Sequence, residues 1–186
     1  MTIRSFFAID IEAKEIQEKI RKTQKELDDP TGRMTFVAPE NLHLTLKFLG
    51  NIEEGIVSAL QQEAEQLTRP KFTITFQGLG SLPSLNYINA IFVGITEGQK
   101  ELQALAKDID TFCQNYNVKK EKRAYKAHLT IGRVKRIGKK QMLIEKIIAK
   151  KDEPFGNYEV TNVKLKKSEL GPSGPTYTDL FEIALE

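Results

Sequence analysis

The chain has 186 residues, of which 40% are hydrophobic, and a formal net charge of +3. This composition suffices for one domain, or two small packed lobes, around a proper core. The single cysteine, Cys113, excludes an internal disulfide and is expected to fill the core. The chain has no apolar run long enough to span a membrane and no signal-peptide pattern, so we expect a cytoplasmic protein without membrane contact.

Strand and helix patterns alternate through the first half of the chain. Short runs rich in Phe, Ile and Thr indicate strands, and apolar residues three or four positions apart indicate helices. Asp10 is the expected N-cap of the first helix. In chain order, the predicted elements are a strand at 3–9, a helix at 12–27, strands at 34–37 and 42–50, a helix capped by 51–54 that runs to 67, and a strand at 72–77.

The second half repeats this order. Its predicted elements are a strand at 87–95, a helix capped by 96–99, a strand at 128–134, a helix at 139–149, and strands at 160–168 and 177–184. Phe7 precedes His43 by 36 residues, and Phe92 precedes His128 by 36 residues. We therefore expect a bilobal α+β fold: two pseudo-symmetric strand-helix-strand units with mainly antiparallel sheets and a central cleft. Residues 1–80 and 85–186 form its approximate halves, joined at 81–84, and strands can exchange between the lobes.

Both histidines of the chain occupy the same four-residue frame. The two frames are His43-Leu44-Thr45-Leu46 and His128-Leu129-Thr130-Ile131. Residues i and i+2 of a strand share a face, so each histidine points the same way as its threonine. Lys47 has the same parity and is expected to face the cleft, unless it is simply a solvated lysine at the end of a strand.

Two imidazoles and two hydroxyls suit the cleavage of a phosphodiester. One histidine can deprotonate the attacking oxygen while the other protonates the leaving oxygen, because the ordinary histidine pKa lies near 6.5. The hydroxyls of Thr45 and Thr130 can donate to the non-bridging oxygens. This chemistry requires no metal and no cofactor.

Other interpretations of the two histidines stay open. They could belong to a metal site, although two histidines alone do not complete one and the nearest acid in sequence is Glu40. They could also be satisfied core residues, which gives no reason for the matched frames. A basic run from 119 to 140 holds ten Lys and Arg residues against the single Glu121, and we expect it to attract a polyanion rather than to be only solvated surface.

The two frames and their neighbours resemble a known family. Residues 43–50 (HLTLKFLG) and 128–134 (HLTIGRV) are similar to the paired motifs of the two-histidine (2H) phosphoesterases. They resemble more closely the bacterial and archaeal RNA 2′,3′-cyclic phosphodiesterases, which are also called 2′-5′ RNA ligases. Weaker similarities at 4–9, 39–42, 168–170 and 174–177 extend the resemblance over nearly the whole chain.

The resemblance implies a hydrolase that opens an RNA 2′,3′-cyclic phosphate end to a 2′-phosphate without a metal. It implies that His43 is the proton donor and His128 the proton acceptor, and that Arg133, five residues after His128, binds substrate. Strand parity alone would put Arg133 on the other face, but a bulge at Gly132 would redirect it. As an alternative, Arg133 is only a surface residue.

The chain also departs from the family pattern. Ala127 stands where many relatives have proline, and Phe36 stands where an aromatic is often tryptophan. The shape of the loop and the partner that stacks on the base are therefore open, with Phe48, Tyr125 and Tyr177 as the candidates.

The expected substrate is RNA with a 2′,3′-cyclic phosphate terminus, tRNA fragments included, bound by a monomer. Two further functions stay open. The same side chains could catalyse ATP-independent 2′-5′ RNA ligation, which is the reverse displacement, or the protein could bind RNA ends without catalysis.

Overall fold

The computed structural model describes residues 1–122, 124–172 and 174–186, which form nine strands and four α-helices. The strands are β1 (Thr2–Asp10), β2 (Arg33–Phe36), β3 (His43–Glu53), β4 (Phe72–Ser84), β5 (Tyr87–Glu97), β6 (Leu129–Arg136), β7 (Pro154–Val160), β8 (Asn162–Gly171) and β9 (Gly174–Ala184). The helices are α1 (Lys14–Leu27), α2 (Val57–Ala64), α3 (Gln99–Cys113) and α4 (Lys140–Ala149).

The strands form two antiparallel sheets. Sheet A has the order β3-β1-β8-β9, and sheet B has the order β2-β6-β5-β4-β7. Sheet A combines the first strands of the chain with its last two, while β2, which lies between β1 and β3 in sequence, joins sheet B. The predicted α+β fold with antiparallel sheets is confirmed, and strands from both halves of the chain contribute to each sheet.

Helix α1 packs on sheet B through the apolar face that its sequence predicts. Ile16, Ile20 and Leu27 are each at most 3% exposed. Complete burial of such a side chain contributes about 1.5–3 kcal/mol to stability. The helix begins at Lys14 with Ala13 at its N-cap, so the prediction that Asp10 caps it is wrong. Asp10 is instead the last residue of β1.

A buried glutamine fixes α1 to the junction of β2 and β6. The Nε2 amide of Gln24 donates to the carbonyl oxygens of Val37, at 2.8 Å, and Ile131, at 2.9 Å. The backbone N–H of Val37 also donates to the Ile131 carbonyl, at 3.0 Å. Buried polar groups need such partners, so these bonds set the position of the helix above the strand that carries the second frame.

The other helices cover the remaining outer surfaces of the sheets. Helix α3 packs against β3, α2 packs against α3 and β9, and α4 packs against β4. Fully buried Phe7 of β1 contacts the ring edges of Phe112 and Phe181, and Cys113 is buried, as expected for a core thiol. In the described parts of the chain, each helix is too short or too polar to cross a membrane.

Two local predictions are wrong, and one strand is missed. Strand β3 continues to Glu53, and Glu54 begins a single 3₁₀ turn, so 51–54 does not cap helix α2, whose N-cap is Ile56. Residues 81–84 form the end of β4, paired with β5, and are not a junction between lobes. Strand β7 was not predicted. Its Gly156 has a φ of +131°, and a register irregularity lies beside it, so the period of two that marks a strand is broken.

Candidate active site

The first His-Leu-Thr frame lies at the start of β3, which is an edge strand of sheet A. His43 lies opposite Asp10 and Thr45 lies opposite Ala8 on β1. The imidazole and the hydroxyl therefore share one face of the sheet. Leu44, between them, is fully buried on the opposite face and holds the strand against the core. We call the His43 side of sheet A its cleft face.

A β-bulge directly follows this frame. Strand β1 pairs Ala8 with Thr45 and Phe7 with Lys47, which leaves Leu46 without a partner residue. Because opposing residues share a face, the extra residue turns Lys47 away from His43. The expectation that Lys47 faces the cleft is therefore wrong.

Lys47 instead anchors a loop on the far side of β3. Its side chain is 1% exposed and forms an ion pair with Asp110 of α3 at 2.7 Å and with Glu121 at 3.5 Å. Its Nζ also donates to the carbonyl oxygen of Lys119, at 2.6 Å. A buried lysine needs such partners, so the role of this residue is structural.

Phe48 returns to the cleft face after the bulge. It lies opposite Phe6, which has the same parity as Ala8. Its ring is 5.8 Å from that of Phe6, and the residue is 57% exposed. An aromatic surface is therefore available beside His43 and Thr45.

The second frame has a bulge at the same place. His128 directly precedes β6, Thr130 lies opposite Phe92, and Ile131 has no partner residue on β5. Arg133 lies opposite Ala90, two residues from Phe92, so Arg133 shares the face of Thr130. The bulge lies directly before Gly132.

Gly132 makes room for an aromatic ring from the neighbouring strand. A Cβ at this position would lie 3.0 Å from Cδ1 of Phe36, which is opposite Gly132 on β2. The two frames thus share one pattern, in which the histidine, the threonine and the fifth residue after the histidine point the same way. That fifth residue is Phe48 in the first frame and Arg133 in the second.

The two imidazoles are oriented by the same hydrogen bond. Nδ1 of His43 lies 2.7 Å from the carbonyl oxygen of Asn41, and Nδ1 of His128 lies 2.8 Å from that of Lys126. A carbonyl oxygen only accepts, so Nδ1 carries the proton in both rings. Nε2 is then the nitrogen of each ring that can exchange a proton with a substrate.

The surroundings of His43 lower its pKa. Burial is the largest cause, and the positive charges of Lys166 and Arg133 act in the same direction. The bond to Asn41 and the negative charge of Asp10 oppose this effect only in part. Strands β3 and β6, which carry the two frames, contact each other, and the charge of Arg133 on β6 acts on His43.

An ionic cluster lies beside His43 on the cleft face of sheet A. Lys166 Nζ donates to Asp10 at 2.7 Å and to Asp179 at 2.5 Å, and Lys164 Nζ donates to Asp10 at 3.0 Å. We call Asp10, Lys164, Lys166 and Asp179 the ionic floor. Sequence reasoning missed it, although the alternation of Lys164, Leu165 and Lys166 in a predicted strand could have indicated two lysines on one face.

The charges of the ionic floor stabilise one another. Burial alone would raise the pKa of Asp179, but hydrogen bonds and charge from Lys166 and Lys164 hold that pKa below 3.8. Burial alone would lower the pKa of Lys164, but bonds to Asp10 and Glu12 raise it above 10.5. Asp179 and Lys164 are thus ionised near neutral pH.

His128 stands on an apolar surface instead. Its ring meets that of Phe92 edge-on, with centroids 5.6 Å apart. Phe92 in turn lies over Gly80 of β4, where a Cβ would be 2.4 Å from the Phe92 ring. The missing side chain at Gly80 therefore sets the height of the ring on which His128 packs.

Two tyrosines were candidates for stacking on a base. The ring of Tyr177 is 5.2 Å from that of His43 and 5.2 Å from that of Phe6, which places it at the first frame. Tyr125 packs against the core, and burial raises the pKa of its hydroxyl. That hydroxyl is buried and has no hydrogen-bond partner among the residues that the structure describes.

The described residues do not form a recognisable metal site. Among residues 1–122, 124–172 and 174–186, no three His, Cys, Asp or Glu side chains come together in a way that could hold a metal ion. The carboxylates nearest to His43 are instead bound to the lysines of the ionic floor.

Comparisons with known proteins identify the family of the chain. The family model described as LigT-like phosphoesterase matches twice, over residues 9–92 and 93–177, so that each match contains one frame. The RNA 2′,3′-cyclic phosphodiesterase of Methanocaldococcus jannaschii is 38% identical over 180 residues, which cover 97% of this chain and 99% of that protein. The protein of the same name from Archaeoglobus fulgidus is 36% identical over 179 residues, or 96% and 98% of the two chains.

A solved structure has the same fold. Escherichia coli LigT in complex with 3′-AMP superposes with a TM-score of 0.78 at 27% identity, and the alignment covers 100% of this chain and 99% of LigT.

Proposed function

Because the chain belongs to the LigT-like phosphoesterase family of the 2H superfamily, we propose that it hydrolyses the 2′,3′-cyclic phosphate end of RNA to a 2′-phosphate. Relatives that align over almost its full length bear the name RNA 2′,3′-cyclic phosphodiesterase. The observation that carries the proposal is the matched orientation of His43 and His128. Each presents Nε2 beside a threonine on the same face.

The proposed reaction is an in-line displacement by water. Nε2 of neutral His128 takes a proton from water as the water oxygen attacks phosphorus. The bond from phosphorus to O3′ breaks, and Nε2 of protonated His43 gives its proton to O3′. The products are a 2′-phosphate and a free 3′-hydroxyl, and solvent returns both imidazoles to their starting protonation states.

Because the pKa of His43 is lowered, its protonation depends on whether substrate is bound. Without substrate, burial and the neighbouring cations favour the neutral imidazole. A bound phosphodiester brings one negative charge next to the ring and so favours its protonated form. Protonation of the donor is therefore coupled to binding of the anion.

Thr45, Thr130 and Arg133 are proposed to hold the phosphate. The hydroxyls point the same way as the imidazoles. The bulge at Ile131 puts Arg133 on this same face. Donors fixed in this way stabilise the charge that builds on the non-bridging oxygens. We propose that this set suffices without a metal ion or cofactor and that the protein acts as a monomer on RNA ends, including tRNA fragments, in the cytoplasm.

Product analysis tests the proposal. The protein is incubated with an oligonucleotide that ends in a 2′,3′-cyclic phosphate, with and without EDTA, and the ends are identified by mass and by sensitivity to a 3′-specific phosphatase. We expect a 2′-phosphate at the same rate with and without EDTA. A 3′-phosphate product would contradict the choice of O3′ as the leaving oxygen. Loss of turnover in EDTA would contradict the metal-free reaction, and no turnover at all would contradict the function. Adding an RNA with a 5′-hydroxyl shows whether the same site also ligates.

A further inference from the structure

A groove runs along the edge of sheet A, next to the candidate active site. Its volume is about 820 Å³, and it is open to solvent. One wall is the outer edge of β3 from Phe48 to Glu53, and the other is the loop from Tyr116 to Lys122 that follows α3. Ligand pockets generally measure about 300–1,000 Å³, so this groove has room for more than a single phosphate.

Phe48 connects the groove to the candidate active site. It lines the groove, and it also lies on the cleft face with His43 and Thr45. Its ring packs on Phe6, whose ring is 5.1 Å from that of His43. With more than half of its surface exposed, Phe48 offers a stacking platform where the cleft meets the groove.

The loop wall carries an excess of positive charge. Lys119, Lys120 and Lys122 are exposed, and they stand against two groove carboxylates, Glu53 and Glu121. One of these, Glu121, already forms an ion pair with buried Lys47. The three lysines are therefore available to a ligand with several negative charges.

The loop is held in place rather than tethered loosely. Lys47 binds the carbonyl oxygen of Lys119 and the carboxylates of Asp110 and Glu121, while the backbone N–H of Glu121 donates to Asp110 at 3.1 Å. The bulge in β3 thus places Lys47 on the side of the strand that faces the loop, where Lys47 holds the loop that carries Lys119, Lys120 and Lys122. A loop backbone held in advance binds a ligand at a lower entropic cost.

We propose that this groove binds the single-stranded RNA that precedes the terminal cyclic phosphate. The inference rests on the proposed function, because a 3′-terminal phosphate in the cleft leaves the strand to continue only in the 5′ direction. The base next to the end stacks on Phe48, and the preceding phosphodiesters lie beside Lys119, Lys120 and Lys122. Aromatic stacking combined with a basic groove is the usual way to bind a single strand without reading its sequence.

Substrates of two lengths test the inference. Hydrolysis of a nucleoside 2′,3′-cyclic monophosphate is compared with that of a hexanucleotide that ends in the same cyclic nucleotide. The variant is K119A/K120A/K122A. The matched control is K19A/K22A/K25A on α1, which removes the same charge from exposed lysines on the helix that covers sheet B.

We expect the groove variant to raise KM for the hexanucleotide about tenfold more than KM for the monophosphate. Loss of three phosphate contacts should also reduce the salt dependence of hexanucleotide binding by about 2 in the slope of log K against log salt. The control variant should show neither change. Equal effects on the two substrates, or equal effects of the two triple variants, would overturn the inference and leave the proposed function in place. Failure of the unmodified protein to turn over either substrate would overturn both.

Crosslinking supplies a positional test. A hexanucleotide with 4-thiouridine next to the terminal nucleotide is irradiated on the protein, and the modified peptide is identified by mass spectrometry. Crosslinks to Phe48, to β3 beyond it, or to the loop from Tyr116 to Lys122 support the inference. Crosslinks confined to sheet B contradict it.

Discussion

His43 and His128 make the same hydrogen bond to the carbonyl group two residues earlier, and each precedes a threonine and a bulge, yet the side chains next to them differ in charge. His43 adjoins the ionic floor of Asp10, Lys164, Lys166 and Asp179, whereas His128 packs on the ring of Phe92. A repeated motif thus sets where each imidazole points, while the neighbours that are not repeated set the charge around it and lower the pKa of His43.

The largest expected effect comes from removing either imidazole. His43→Ala and His128→Ala should each lower kcat by about 10²–10⁴-fold, because one displacement uses both proton transfers. The double variant should be little slower than the slower single variant, since the residues act as a unit. Single-turnover rates at saturating enzyme measure this. If the rates of the two single variants differ tenfold or more, the two proton transfers do not contribute equally to catalysis.

Gly80→Ala should affect the second frame alone. The new methyl group would overlap the ring of Phe92 and push it against His128. We expect kcat to fall about 10–100-fold, because displacements near 1 Å in a catalytic geometry have effects of this size. The double variant G80A/F92L should recover most of the activity, since the smaller side chain restores the space. Failure to recover would mean that Phe92 does not carry the effect to His128.

Asp10→Asn should affect the first frame through charge. Asp10 raises the pKa of His43, so its loss lowers that pKa further and leaves less of the imidazole protonated near pH 7. We expect kcat/KM to fall severalfold at pH 7.5 and less at pH 5.5, where more of the donor regains its proton. Glu12→Gln is the matched control, because it also removes a negative charge from a partner of Lys164. Two parallel pH profiles would show that Asp10 does not act through His43.

The smallest expected effect is a lowered titration midpoint of His43 in the unmodified protein. With only two histidines in the chain, each ring gives its own signal in a proton–carbon NMR titration. The His43 ring should titrate below 6.5, because burial lowers its pKa. Inorganic phosphate should raise that midpoint, since a bound anion favours the imidazolium. A His43 midpoint above 6.5 without phosphate would contradict the account, with His43→Ala serving to assign the signal.

Much of the fold is predictable from local patterns. The apolar spacing of Ile16, Ile20 and Leu27 predicts α1, and the runs around His43 and His128 predict the two strands that carry the frames. These elements have an uninterrupted period, which is the condition under which periodicity is informative. The pairing of distant strands lies beyond such patterns, since it depends on contacts between the two ends of the chain.

The bulges explain both the success and the failure at the site. In the second frame, Gly132 indicates from sequence that a bulge could redirect Arg133. The structure has this bulge, and Arg133 lies on the face of Thr130. The bulge at Leu46 has no glycine, so strand parity placed Lys47 on the wrong face. The ionic floor was missed for a related reason, because its members come from three strands that are far apart in sequence.

The exchange of strands between the halves also constrains how the protein is made. Strand β1 lies between β3 and β8, with Ser5 opposite Lys167, so sheet A closes only when residues more than 160 positions apart meet. A nascent chain that has emerged only as far as β5 therefore has an open hydrogen-bonding edge along β1, which is a surface prone to wrong pairing. The ionic floor beside His43 is therefore complete only after the last two strands, β8 and β9, have left the ribosome.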